Sequence, residues 1–165
     1  MRTTDITAPL TILFSELAYG AKDDGAAFVL NSGDAGLLRS IDGLSAAQAS
    51  VSTNSGATIA AHARHLSYGL SLMNRWMRDG GDPFADARWD DAWKTSRVDD
   101  REWEAIRRDL AAEANAWSIA LGNDREVSAT EMSGMIASIS HLAYHLGAIR
   151  QIDKDARGPR EGTFA

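Results

Sequence analysis

Apolar residues recur at intervals of three and four along four long stretches of the chain. The clearest stretch runs from about Thr58 to Arg78, and its apolar positions are Ile59, Ala63, Leu66, Leu70, Met73 and Met77. Residues at this spacing lie on one face of an α-helix, which can pack against a core. The glycines at 80 and 81, followed by Asp82-Pro83, predict the end of this helix.

Three further stretches share the helical spacing. The first helix is predicted from Leu10 to Ala21, with Gly20 and Gly25 ending it, the third from Asp99 to Leu121, and the fourth from Ser128 to about Asp153. The fourth opens with the sequence SATE, which fits a capping box. Because no stretch alternates with a period of two, the sequence predicts an all-α protein.

The segments between these helices are interpreted as connections. A short helical pattern appears at 37–44, residues 45–55 are small and polar like a connector, and residues 82–97 form an aromatic loop. Residues 154–165 are predicted to be a C-terminal tail of a single domain spanning 1–165. Four long helices with sizeable connections fit a bundle with at least one crossover.

Composition and charge narrow the class of protein. The 165 residues are 44% hydrophobic and 24% charged, which is typical of a globular domain that buries roughly 70% of its unfolded surface. The net charge of −6 and the lack of a cluster of Lys and Arg argue against a nucleic-acid partner. The absence of cysteine excludes disulfides, thiolate ligands and a cysteine nucleophile.

The N-terminal segment and the hydropathy of the chain bear on location. The first residues lack the charged, apolar and small order of a signal peptide, and they include Asp5 and Glu16. No window approaches the roughly 18 consecutive apolar residues of a membrane span. A cytoplasmic protein without a membrane partner is therefore expected.

All four histidines fall in two of the predicted helices, His62 and His65 in the second and His141 and His145 in the fourth. Residues four apart stand on the same face of a helix, so the imidazoles of His141 and His145 can point at a common centre. Neutral imidazole binds Zn, Ni, Fe and Cu. A third histidine from a facing helix would complete an open metal site of the catalytic type. The alternative interpretation is that the histidines form a hydrogen-bonded pair in a core without metal, because such a pair has the same spacing in the sequence.

The segments around these histidines resemble the motifs of the DinB/YfiT-like proteins. TIAAHARHL, at 58–66, resembles their second-helix motif, in which Ser or Thr and an aliphatic residue precede His-Leu. HLAYHLGAI, at 141–149, resembles their fourth-helix motif, His-x-x-x-His followed by Gly and an aliphatic residue. The resemblance extends from Leu10 to Ile152, and it departs from the family at Ala148, where Gln is common.

The resemblance implies an up-up-down-down four-helix bundle, commonly a homodimer, in which His65, His141 and His145 bind Zn or Ni. The helical wheel instead places His62 nearer the centre of the apolar face and His65 at its edge. We follow the motif register, which leaves His62 as a candidate fourth ligand or as a group that orients a ligand.

Family branches include thiol-dependent transferases and isomerases, so the leading hypothesis is a metal-dependent enzyme. With a thiol activated by the metal it would be an S-transferase, and with water it would be a hydrolase. In both cases the substrate would be a small molecule, and a low-molecular-weight thiol is a candidate partner. One alternative is a non-catalytic, metal-binding dimer with a structural or stress-response role. Another is a metal-free bundle in which the histidines only pack.

Several residues lie near the predicted site. Tyr68 and Tyr144 are within a turn of the ligands and are candidate pocket residues, and Glu16 is a candidate carboxylate behind a ligand. Trp76, Trp89 and Trp93 are candidates for the pocket mouth, and packing of the loop against the bundle explains them equally well. Arg64 and Arg150 are candidates for holding an anionic substrate, but each is interpreted as part of a solvated helix face.

Overall fold

The four predicted long helices are present, and their ends lie within a few residues of the predicted positions. A computed structural model describes residue 3, residues 6–22 and residues 27–159. These residues contain no β-strand, which confirms the all-α class. Their helices are α1 (Thr7–Tyr19), α2 (Gly36–Asp42), α3 (Ala46–Ala49), α4 (Ile59–Asp79), α5 (Trp89–Trp93), α6 (Asp100–Leu121) and α7 (Ala129–Ile152), followed by a 3-10 turn at Lys154–Ala156. Gly25, a predicted helix end, lies outside the described residues.

Side-chain caps fix the beginnings of the three longest helices. The Thr58 hydroxyl accepts a hydrogen bond from the Ala61 backbone N–H at 3.2 Å and caps α4. Asp99 caps α6, and Ser128 forms the predicted capping box with Glu131 at the start of α7. Each cap satisfies backbone N–H groups that the first helical turn leaves unpaired. The histidine helices α4 and α7 therefore begin at positions set by local sequence.

The four long helices contact one another in a ring. Helix α4 packs against α6 and α7, and α1 packs against the same two helices. The side chains that they share are fully buried and large: Phe14, Leu17, Leu66, Leu110, Trp103, Trp117, Met135 and Leu142. Among the helices formed by the described residues, none combines the length and the apolar character needed to cross a membrane.

Two segments interpreted as connections are partly helical. The predicted connector at 45–55 contains α3, which begins with a capping box between Ser45 and Gln48. The aromatic loop at 82–97 contains the single turn of α5. The residues after α7 also pack on the core, since Ala156 is fully buried, while 160–165 lie outside the described part of the chain.

Arg150, interpreted as solvated, is buried in an ion pair. Its guanidinium donates to the Asp34 carboxylate at 2.7 Å and to the Ala156 carbonyl at 3.1 Å. The Asp34 carboxylate also accepts from the Gly36 N–H at 2.8 Å. The pair joins the end of α7 to the loop before α2, and the expectation of a solvated face was wrong because this partner lies 116 residues away in sequence.

Candidate metal centre

The histidines of α4 and α7 meet where the two helices face each other. The His141 Nε2 atom lies 3.1 Å from Nε2 of His65 and 2.9 Å from Nε2 of His145. The donor atoms of these three residues all lie within 4.8 Å of one another, so together they form a group that could hold a metal ion. His145 is almost fully buried and His65 is 8% exposed.

The spacing of these nitrogens fits a coordination sphere. Bonds of 2.0 to 2.1 Å to Zn²⁺ place neighbouring imidazole nitrogens about 2.9 Å apart in an octahedral set and about 3.3 Å apart in a tetrahedral set. The observed separations of 2.9 and 3.1 Å fall within that range. Three nitrogens from two helices leave coordination positions that no protein atom of this group fills.

His62 contacts the group from behind. Its Nδ1 atom lies 2.8 Å from Nδ1 of His145, the ring nitrogen opposite to the one that faces the other two histidines. If Nε2 of His145 bound a cation, its Nδ1 would carry the proton and would donate a hydrogen bond to Nδ1 of His62. This hydrogen bond would then fix the tautomer and the ring orientation of His145. His62 is not part of the three-histidine group that could hold a metal ion, and its role as an orienting group or a fourth ligand stays a prediction.

Burial keeps the imidazoles neutral. Desolvation, reinforced by the neighbouring histidines, lowers the pKa of His65 to about 4 and that of His145 to about 3. Desolvation also lowers the pKa of His62 and of His141. Neutral imidazole is the form that binds metals, so the group is ready to bind a cation at neutral pH.

Two tryptophans of the aromatic loop cover His65. The Trp93 ring stacks on the imidazole with the centroids 4.2 Å apart, and the Trp89 centroid lies 5.2 Å away. Nδ1 of His65 is buried and has no hydrogen-bond partner among the residues that the structure describes. The orientation of this ring is therefore set by aromatic packing, whereas that of His145 is set by a hydrogen bond.

The remaining candidates have other contacts. The Tyr68 hydroxyl accepts a hydrogen bond from the Arg88 N–H at 2.8 Å, and the Tyr144 side chain is 69% exposed with its ring 4.9 Å from that of His145. That either hydroxyl enters the pocket stays a prediction. Both oxygens of Glu16 accept from backbone N–H groups of residues 28–30, so this carboxylate stabilises a loop.

Sequence reasoning missed the residues that leave space beside the site. Gly69 and Gly134 lie within α4 and α7 and line a cavity that reaches His141. Glycine is a poor helix former, so its position in the interior of a long helix was an available signal.

No protein-family model matches the sequence, and comparisons with curated proteins and with solved structures also found no match. The functional conclusion therefore depends on the geometry of the histidine group.

Replacing His62 with Ala should weaken Zn²⁺ binding without abolishing it. The variant keeps the three facing nitrogens and loses only the group that orients His145, a change that costs about 10- to 100-fold in affinity at other metal sites. Isothermal titration calorimetry with Zn²⁺ measures this effect, and His65→Ala is the matched comparison on the same helix. Equal losses for the two variants would contradict the assignment of His65 as the ligand.

The metal-free protein should become less stable as the pH falls from about 6.5. Unfolded histidine takes up a proton near its ordinary pKa of about 6.5, whereas His65 and His145 resist protonation down to about pH 4 and 3. Within this window the unfolded chain binds more protons, so the free energy of unfolding decreases with decreasing pH. The midpoints of urea denaturation at pH 7, 6 and 5 test this expectation. The stability of the His65→Gln variant should depend less steeply on pH than that of the wild type. A wild-type dependence no steeper than that of His65→Gln would contradict it.

Proposed function

We propose that the protein is a divalent-metal-dependent enzyme of the DinB/YfiT-like type, with His65, His141 and His145 as ligands of Zn²⁺ or Ni²⁺. The observation that supports this most directly is the convergence of their three Nε2 atoms, at separations of 2.9 and 3.1 Å. A bound divalent cation supplies Lewis acidity that lowers the pKa of a coordinated thiol or water at neutral pH. The proposed reaction is therefore either the transfer of a group from a small molecule to a thiol or the hydrolysis of a small molecule.

The donor set supports an enzyme over a structural site. Structural zinc sites are usually closed by four protein ligands, whereas catalytic sites have three and an open position. His62 would be the natural fourth ligand, but its Nδ1 pairs with Nδ1 of His145. A cavity lined by His141 and Trp89 also adjoins the group, which gives a substrate a place to bind.

The residues around the histidines have separable tasks in this proposal. His62 holds the proton of His145 Nδ1 in place, so the opposite nitrogen presents its lone pair. Trp89 and Trp93 cover His65 and exclude water from its side of the site. Because excluding water lowers the local dielectric constant, it strengthens the electrostatic interactions of an anion bound at the metal.

The ring of contacts among α1, α4, α6 and α7 supports the up-up-down-down bundle that the family resemblance implies. The homodimer stays a prediction, and the molar mass of the purified protein by light scattering tests it.

A paired metal and activity measurement tests the proposed function. Protein purified without an affinity tag should contain Zn or Ni by elemental analysis. The metal-loaded form should join one of a panel of low-molecular-weight thiols to an electrophilic aryl halide, forming a C–S bond with release of halide and a proton, or should hydrolyse an ester. His141→Ala should lose this activity, and Ser140→Ala, an exposed change on the same turn of α7, should keep it.

The other outcomes select the competing functions. Bound metal without turnover of any thiol or hydrolytic substrate would favour a non-catalytic, metal-binding role. Protein that contains no metal, and that neither Zn²⁺ nor Ni²⁺ stabilises against heat, would show that the histidines only pack.

A further inference from the structure

Two neighbouring cavities run along the surface between α4 and α7. The nearer one, about 360 Å³, adjoins the metal centre, and the farther one is about 510 Å³. Met73, Phe84 and Gly134 line both, so the two cavities share a wall and lie end to end. We use the name apolar groove for the channel lined by Leu66, Gly69, Leu70, Met73, Phe84 and Gly134. Each cavity is in the size range of small-molecule sites.

The apolar groove begins against a metal-ligand ring. A Cβ atom at Gly69 would lie 3.5 Å from Cε1 of His141, which is the carbon bonded to the Nε2 atom that faces the other ligands. The same Cβ would lie 3.7 Å from the Trp89 ring. His141 itself lines the nearer cavity, so a molecule bound there lies against a residue of the three-histidine group.

The two glycines serve to leave space in the groove. Neither Gly69 nor Gly134 has a positive φ, so backbone conformation does not require glycine at either position. A Cβ at Gly134 would lie 3.6 Å from the Met73 side chain, an ordinary contact, so alanine would fit as well. Alanine is also the better helix former. What glycine provides on these facing helices is a cavity wall without a side chain.

The nearer cavity offers almost nothing for a polar ligand to bind. No Asp, Glu, Lys or Arg lines it among the described residues. The hydroxyl of Ser138 is engaged, since it accepts from the Trp117 indole N–H at 2.8 Å and donates to the Met135 carbonyl at 2.7 Å. Acidic side chains, those of Asp82 and Glu131, line only the farther cavity. The chemistry of the groove thus changes from the metal centre to an apolar channel and then to a polar end.

From this arrangement we infer that the substrate is an elongated molecule with a metal-binding head group at the histidines and an unbranched apolar tail in the apolar groove. The inference rests on the proposed function for the head group and on the groove for the tail. Small polar substrates would leave the apolar walls exposed to water and would gain nothing from them.

A homologous series of straight-chain hydroxamic acids tests this inference on the Zn²⁺-loaded protein. The head group binds zinc in every member, so only the length of the tail varies. Each methylene buried in an apolar site raises affinity about fourfold, and we expect octanohydroxamate to bind at least about 100 times more tightly than acetohydroxamate. Calorimetric titration gives both dissociation constants.

Gly134→Leu provides the structural test, because its side chain would fill the channel where the two cavities join. This variant should bind Zn²⁺ and acetohydroxamate as the wild type does, while its preference for octanohydroxamate should drop to less than about tenfold. Ser133→Leu places the same side chain on the exposed surface one residue away and should keep the full preference.

The outcomes separate the groove from the metal site. Zn²⁺ binding with no dependence on tail length would overturn the inference and leave the proposed metal centre standing. A preference that survives Gly134→Leu would also overturn it, since the tail would then bind elsewhere. Failure to bind Zn²⁺ at all would overturn both the metal centre and the inference.

Discussion

Replacing His145 with Ala should greatly weaken metal binding while leaving the helices intact. His145 is the member of the three-histidine group that also contacts His62, since its Nε2 lies 2.9 Å from His141 and its Nδ1 lies 2.8 Å from His62. Its loss leaves two facing nitrogens. Structural zinc sites with four ligands gain about 10 to 16 kcal/mol, roughly 3 to 4 kcal/mol per ligand, so affinity should fall about 100- to 1000-fold.

The thermal denaturation curve gives an independent measure of this loss. Free Zn²⁺ at a hundred times Kd stabilises the folded protein by about 2.7 kcal/mol, which in a domain of this size raises Tm by roughly 5 to 11 °C. The wild type should show this shift, and at the same Zn²⁺ concentration His145→Ala should show a shift of at most about 2 °C. Far-UV circular dichroism should find similar helix content in both, because the core residues of α7 are unchanged.

Ser140→Ala is the matched control, because Ser140 lies on the exposed face of α7 next to the ligand His141. It should retain both the affinity for Zn²⁺ and the thermal shift. A His145→Ala variant that binds Zn²⁺ as tightly as the wild type would mean that the cation, if any, binds elsewhere.

Local sequence predicted the parts of the molecule that depend on local interactions. The apolar spacing identified the four long helices, and Ser128 with Glu131 marked the start of α7 because a capping box involves residues three apart. The common direction of the His141 and His145 side chains was predictable for the same reason, because residues one helical turn apart stand on the same face. The capping box of Ser45 and Gln48 was equally local, and it was missed because small polar residues around it suggested a connector.

Contacts between distant segments could not be predicted in this way. The choice between His62 and His65 depended on how α4 is rotated against α7. The apolar pattern of α4 favoured His62, whereas the group that could hold a metal ion contains His65. Both imidazoles prove equally buried, at 8% exposure, so burial could not separate them. Their roles differ because one approaches Nε2 of His141 and the other Nδ1 of His145, a distinction that exists only after the helices pack.

Breaking the ion pair between Arg150 and Asp34 should cause the largest loss of stability away from the histidines. The two side chains are 6% and 1% exposed, so removing either partner takes this ion pair away from a charge that stays buried. Such losses cost about 3 to 5 kcal/mol, which corresponds to a decrease in Tm of roughly 6 to 20 °C. Arg150→Met and Asp34→Asn should each show it in urea or thermal denaturation.

The double variant separates the cost of an unpaired charge from the value of the pair. With both charges absent, Asp34→Asn combined with Arg150→Met should be more stable than the sum of the single losses predicts, and a strictly additive result would contradict a direct interaction.

Arg78→Ala is the control for an exposed pair: Arg78 and Asp79 are 67% and 54% exposed, so its effect should stay below about 1 kcal/mol. Zn²⁺ affinity should be unchanged in all of these variants at temperatures where they are folded, because Arg150 anchors the end of α7 beyond the ligands and contacts Asp34 and Ala156 there.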